Sequence, residues 1–244
     1  MSEQRIFGFN AVRESLRASG RTNRLYIAKE TKVRGRGELI ELARAAGVPV
    51  EWVPLAKVND LAGSKEHQGV VATISPVDYT SLDDCLAKCP SQATLLVLDQ
   101  VQHPKNLGLI IRTALAAGAC GLLVPVRGGA LLNDAVLRAS TGALLHLPVV
   151  RCNNVSQTLR RLREEGFWIY GLAGEGGENL FHVQWPDRIV LVAGNESEGL
   201  RPGVRKACDV LARIPLANEV ESLNVSIASA IALFQIQAWR KGMA

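Results

Sequence analysis

Residues Leu191 to Ala228 read LVAGNESEGL RPGVRKACDV LARIPLANEV ESLNVSIA. The apolar run Ile189 to Ala193 stops abruptly at Gly194-Asn195-Glu196-Ser197-Glu198-Gly199, the way a buried parallel strand delivers polar groups to the carboxyl edge of a sheet. Ligands of open α/β sheets bind at that edge. A second strand, Val210 to Ile214, stops at Pro215, and a long apolar helix is expected to begin at Ser222-Leu223-Asn224 with Ser222 as its N-cap. Two broken strand ends then face one helix N-terminus.

Working outward, the apolar strand Leu95 to Leu98 runs into Asp99-Gln100-Val101-Gln102-His103-Pro104-Lys105-Asn106-Leu107-Gly108, followed on a helix by Ile110, Ile111 and Arg112. From Thr94 onward strand and helix signals alternate to the end of the chain, which requires a mostly parallel sheet with helices on both faces. Residues 1 to 75 form a second, smaller α/β unit: helix Asn10 to Arg17, strand Leu25 to Ala28, helix Glu38 to Ala46, and strands Val50 to Val53 and Val70 to Ile74. Residues 76–92 carry Pro76, Asp78, Ser81, Asp83, Asp84 and Pro90 and read as a linker around a short helix from Leu82. The expected organisation is therefore 1–75, a linker 76–92, and 93–244.

At 244 residues, 48% apolar and 21% charged, the chain has the composition of a soluble globular protein. No basic segment followed by an apolar core opens it, so a cytoplasmic location is expected. The uncharged run Leu223 to Trp239 is too short and too polar for a bilayer span, which argues against membrane association. Cys85, Cys89, Cys120, Cys152 and Cys208 are scattered and odd in number, fitting neither a disulfide framework nor a metal site. The net charge of +5 is concentrated at the amino terminus, where residues 1 to 36 hold nine Lys/Arg against three acids. Within that stretch, Lys32-Val33-Arg34-Gly35-Arg36-Gly37 pairs cations with glycines, so Lys32, Arg34 and Arg36 are candidate phosphate contacts, although a solvated loop has the same composition.

Taken together, the stretches at 99–112, 194–199 and 214–224 resemble the three motifs of the SpoU/TrmH family of RNA ribose 2′-O-methyltransferases, a branch of the SPOUT superfamily. Gly8-Phe9-Asn10-Ala11-Val12 and His67-Gln68-Gly69-Val70-Val71-Ala72 resemble the family's substrate-binding domain. The resemblance implies an amino-terminal domain that grips structured RNA, a carboxyl-terminal α/β domain with a parallel sheet and a deep trefoil knot, and a homodimer. It also implies S-adenosylmethionine as methyl donor, held largely by main-chain groups of three loops. Leu172, Ala173, Gly174, Gly194, Asn195, Gly199, Ile214, Leu216 and Leu223 are the expected contacts. Core packing would account equally for Ile214 and Leu223. No Gly-x-Gly-x-x-Gly follows the first strand of this domain, which weakens a dinucleotide-binding reading.

The chemistry so implied is attack of a ribose hydroxyl on a sulfonium methyl, in which a poor nucleophile must be aimed and relieved of its proton. By resemblance Arg112 is the central catalytic residue. A deprotonated guanidinium is expensive, since its pKa exceeds about 12, so stabilising the alkoxide and clamping phosphate is the milder role. Spacing from Asn106 lets a helical face present Arg112 inward. The resemblance gives Asn106, Glu196, Ser222 and Asn224 to the same site; Asn106 and Ser222 are equally readable as helix caps. His103 stands where the family usually has Asp, and Leu109 where it commonly has Ala. The sequence is most similar to members that methylate a guanosine ribose of 23S ribosomal RNA. A tRNA-modifying relative and a non-catalytic RNA-binding protein of the same fold are the alternatives.

Overall fold

The computed structural model describes residues 4–18, 20–30, 33, 35–175, 177–195, 198–217 and 220–243. In chain order the first elements are β1 (Gln4–Phe7), α1 (Phe9–Arg17), β2 (Thr22–Ala28), α2 (Arg36–Ala45), β3 (Val50–Val53), α3 (Leu55–Ala62) and β4 (Val70–Ile74). There follow α4 (Leu82–Ala87), β5 (Ala93–Leu98), α5 (Pro104–Ala116), β6 (Gly121–Pro125), α6 (Asp134–Ala139), β7 (Val149–Cys152), α7 (Val155–Glu164) and β8 (Trp168–Leu172). The last are β9 (Glu178–Asn179), β10 (Arg188–Ala193), α8 (Pro202–Arg205), β11 (Val210–Arg213) and α9 (Val225–Arg240). By contacts the chain divides into two compact units, Met1–Asp78 with Leu132–His146, and Tyr79–Leu131 with Leu147–Ala244.

The first unit is built on a four-stranded mixed sheet in the order β1-β4-β2-β3, in which only β2 and β3 run parallel. Every residue of β4 is buried, as a central strand covered on both faces must be. Helix α1 buries Ala11, Val12, Ser15 and Leu16, the spacing that turns one helical stripe toward a core. Sequence order places α6 among the strand-helix repeats of the second half, yet its partners lie in this unit. Arg138 sits 5.1 Å from the centroid of the Phe7 ring, and His146 lies 3.6 Å from Glu14. Gly142, at φ 84°, has room only for hydrogen, because a Cβ there would lie 2.7 Å from that of Glu14.

His67 is buried in the first unit. Its Nδ1 accepts the Gly69 N–H at 2.9 Å, so the proton of the neutral ring belongs on Nε2, which donates to Asn59 Oδ1 at 2.7 Å. Burial holds the pKa below the ordinary 6.5. The unfolded chain therefore takes up a proton that the folded one refuses, and stability contributed by neutral His67 is lost as pH falls through about 6.5. Thermal unfolding is expected to show the unit weakening from about pH 7 to about pH 5.5, and the His67→Gln variant is expected to show a flatter dependence. An identical slope in both proteins would contradict the assignment.

The second unit is a seven-stranded sheet in the order β7-β6-β5-β10-β8-β11-β9, and every pairing is parallel. Leu95, Val97, Val190 and Val192 point to one face, where they pack with Leu159 and Leu162 of α7, Val204 of α8 and Cys85 of α4. The alternate residues Leu96, Leu98 and Leu191 point the other way, onto the side where α9 meets β10 and α5. Within 76–92, the stretch that reads as a linker, α4 is tied to this unit by the buried Cys85. All five cysteines are free. Cys89 Sγ lies 2.8 Å from Cys120 Sγ, and burial pushes the neighbouring Cys85 thiol up to about 11. No helix among the described residues is long and apolar enough to cross a membrane.

Candidate active site

Strands β10, β8 and β11 are neighbours and parallel, so the loops leaving their carboxyl ends converge on one edge of the sheet. Between them lies a cavity of about 450 Å³. The end of β8 and the loop after it supply Leu172, Ala173 and Gly174; the loop after β10 supplies Gly194, Asn195 and Gly199; that after β11 supplies Ile214, Leu216, Ser222 and Leu223. Thus all the residues expected at the cofactor line a single cavity, although they come from separate parts of the sequence. Glu175, Glu198, Arg205 and Glu221 line it as well, and nothing in their local sequence singled them out.

The β10 loop is fastened at both ends. Asn195 and Gly199 exchange main-chain hydrogen bonds of 3.0 Å each, which brings the two strands of the turn so close that a Cβ on Gly194 would lie 2.2 Å from the Gly199 carbonyl carbon. Glycine at 194 is a requirement of that approach. The Asn195 side chain donates to the Gln100 carbonyl at 3.0 Å. Next to it, Asp99 is fully buried at the end of β5 and accepts from the Arg201 main-chain N–H at 3.0 Å and from Nε at 2.8 Å, with Nη2 2.6 Å away. The loop before α5 and the loop lining the cavity are thereby held together by a charge-assisted fork.

On the α5 and α9 side, Asn224 Nδ2 donates to Asn106 Oδ1 at 3.3 Å. Asn224 Oδ1 also accepts from the Ser226 N–H at 2.8 Å and its hydroxyl at 2.6 Å. This makes Asn224, rather than Ser222, the N-cap of α9. Ser222 and Leu223, just before the helix, line the cavity. The cap of α5 is His103, with Pro104 in the first turn, so Asn106 is a residue of the helix and not its cap. Arg112 is exposed and is not among the residues lining the cavity. Leu107, Ile110, Ile111 and Ala114 occupy the face of α5 turned to the core. At 100° per residue, Arg112 lies about 120° round the helix from Asn106. Glu196 lies outside the described residues.

In the first unit, the two stretches that resemble a substrate-binding domain meet. The Phe9 N–H donates to Gln68 Oε1 at 2.8 Å and the Gly8 N–H to the Val70 carbonyl at 3.3 Å. Gly35, at φ 71°, lets its loop close over Phe9, whose ring would be 2.4 Å from a Cβ there. Arg36 stands 5.3 Å from the centroid of the half-exposed Trp52 ring, a cation and an aromatic on one surface. Lys32 and Arg34 lie outside the described residues. Part of the amino-terminal basic excess is spent within the unit: Arg17 pairs with Glu38 at 3.2 Å and Arg24 with Glu51 at 2.9 Å.

Residues 93–234 match the SpoU rRNA Methylase family, and residues 5–80 match the domain described as RNA 2′-O ribose methyltransferase substrate binding. A 23S rRNA (guanosine-2′-O-)-methyltransferase, RlmB, of Xylella fastidiosa (strain Temecula1) is 39% identical over 95% of this chain and 95% of its own. The AdoMet-bound rRNA methyltransferase from Sinorhizobium meliloti aligns with a TM-score of 0.79 at 26% identity, over 99% of this chain and 88% of its own. The SpoU methyltransferase AviRb from Streptomyces viridochromogenes, in complex with AdoMet, aligns with a TM-score of 0.80 at 25% identity, over 98% and 91%. With both of its units matched, the chain belongs to the SpoU rRNA methylase family, the S-adenosylmethionine-dependent enzymes that methylate RNA ribose at the 2′-oxygen.

Proposed function

We propose that this protein transfers a methyl group from S-adenosylmethionine to the ribose 2′-hydroxyl of a guanosine in 23S ribosomal RNA, in the cytoplasm. The observation that carries the reading is the convergence of the three loops on one cavity, beside the contact between Asn106 and Asn224. The cavity fits the donor. Its volume falls in the range of about 300–1,000 Å³ usual for small-molecule sites, its apolar wall of Leu172, Ile214, Leu216 and Leu223 suits a purine, and at Gly194 no side chain stands between the ligand and the main chain. When bound, the cofactor supplies an electrophilic methyl on sulfur. The chain supplies the rest: Asn106 and Asn224 orient the ribose through their amides, and Arg112 offsets the negative charge that gathers on the 2′-oxygen. Glu196 and Ser222 complete the site in this reading. Residues 1–75, with Lys32, Arg34 and Arg36, hold the RNA, and 93–244 carry out the transfer around a knotted chain.

The same reading includes a second copy of the chain. Ile227 and Phe234 of α9 and Leu109 of α5 are exposed at 51%, 46% and 37%, and with Ile231 the α9 residues form an i, i+4, i+7 stripe. Core burial does not account for Ile227 and Phe234, whereas a symmetric contact would. The reading is tested by supplying labelled S-adenosylmethionine with unmodified 23S ribosomal RNA and with tRNA, then mapping the product. Label on the 2′-oxygen of a single guanosine in ribosomal RNA is expected. Label confined to tRNA would replace the substrate, and label on neither would remove the activity.

A further inference from the structure

The cofactor cavity has an uneven charge. Among its described lining residues, Glu175, Glu198 and Glu221 stand against one base, Arg205. Arg205 closes α8 and is exposed. Its Nη2 donates to the main-chain carbonyl of Glu175 at 3.2 Å, a neutral acceptor that orients the guanidinium without balancing it. Two neighbouring arginines of this unit do have carboxylate partners: Arg201 pairs with Asp99 and Arg163 with Asp209, at 2.6 and 2.7 Å. No carboxylate pairs with Arg205 among the described residues. A cation so positioned, in a cavity whose other charged lining residues are acids, lacks a partner that a ligand can provide.

We infer that Arg205 binds the α-carboxylate of the methyl donor's methionine moiety. The inference rests on reading the cavity as the S-adenosylmethionine site. That ligand brings two positive groups, sulfonium and ammonium, and one negative group. Three lining carboxylates favour the cations and repel the carboxylate, so the carboxylate needs a counter-charge of its own. A guanidinium provides it through charge-assisted, fork-shaped hydrogen bonds. The amino-acid end of the ligand is then directed toward α8 and the loop after β8, which leaves the apolar wall of Ile214, Leu216 and Leu223 to the base. The charge pattern thus fixes the direction in which the ligand lies in the cavity.

Calorimetric titration with two ligands tests the assignment. S-adenosylhomocysteine carries the carboxylate; 5′-methylthioadenosine keeps the nucleoside and thioether but has no amino-acid end. Arg205→Ala is expected to weaken S-adenosylhomocysteine roughly 10- to 100-fold and to leave 5′-methylthioadenosine unchanged, with Arg205→Lys intermediate on the first ligand alone. Unchanged affinity for S-adenosylhomocysteine would overturn the assignment while leaving the cofactor site in place. Equal loss for both ligands would also overturn it, since the cavity itself would then be damaged. Failure of the wild-type protein to bind S-adenosylhomocysteine would remove the cofactor site and this assignment together.

Discussion

Arg112→Ala is expected to lower the rate of methyl transfer by about 10²- to 10³-fold, the usual effect of removing one donor aimed at developing negative charge, while S-adenosylhomocysteine binds as before. The division follows from where Arg112 stands. It is exposed on α5 and is not among the residues that line the cavity between β8, β10 and β11, so in the proposed reading its guanidinium acts on RNA without shaping the donor's site. Arg112→Lys keeps the charge but not the planar fork, and is expected to recover only part of the rate. Single-turnover transfer with saturating donor, beside a calorimetric titration, separates the two quantities. Transfer at the wild-type rate would take Arg112 out of the reaction. Loss of cofactor affinity would instead give it a place in the cavity.

Arg201→Ala is expected to destabilise the second unit by about 3–5 kcal/mol, the cost of leaving a buried charge without its partner. Asp99 has no exposed surface, whereas the Arg201 side chain is 41% exposed. Removing the arginine strands a carboxylate in the core with one remaining main-chain N–H, while removing Asp99 frees a cation that reaches water. Arg201→Ala is therefore the more damaging of the two single changes. Adding Asp99→Asn to it is expected to restore part of the loss by making the stranded group neutral. Denaturant unfolding of the three variants checks the order. If Asp99→Ala were the more destabilising, the pair would not act as described.

How much of this was legible in the sequence depended on whether the signal was local. Ile189 to Ala193 announced itself as a buried parallel strand because it is apolar on both faces and ends in glycine, and the structure extends it by one residue, to Arg188. The three loops expected at the cofactor carry recognisable motifs, and the residues named on them line one cavity. Strand β1 was not legible, since Gln4–Phe7 is four residues long with only Ile6 buried, and its identity comes from pairing with β4. Nor was the place of α6 and the residues just after it, whose contacts with Phe7 (from Arg138) and Glu14 (from Gly142 and His146) span more than a hundred residues of chain and leave no local trace. The cap of α9 is Asn224 and not Ser222, because the Asn224 side chain accepts from the Ser226 N–H and hydroxyl. Arg205 and Glu175 reach the cavity only through the order in which β8, β10 and β11 pair.

The central claim is that the edge formed by β10, β8 and β11 holds the methyl donor next to Asn106 and Asn224. A crystal structure of the protein with S-adenosylhomocysteine tests it most directly. The account predicts the purine against Ile214, Leu216 and Leu223, with the sulfur facing the two asparagines. Ligand density elsewhere, for example in the groove at Arg151 and Arg161 beside α7, or with the sulfur turned away from Asn106 and Asn224, would contradict it.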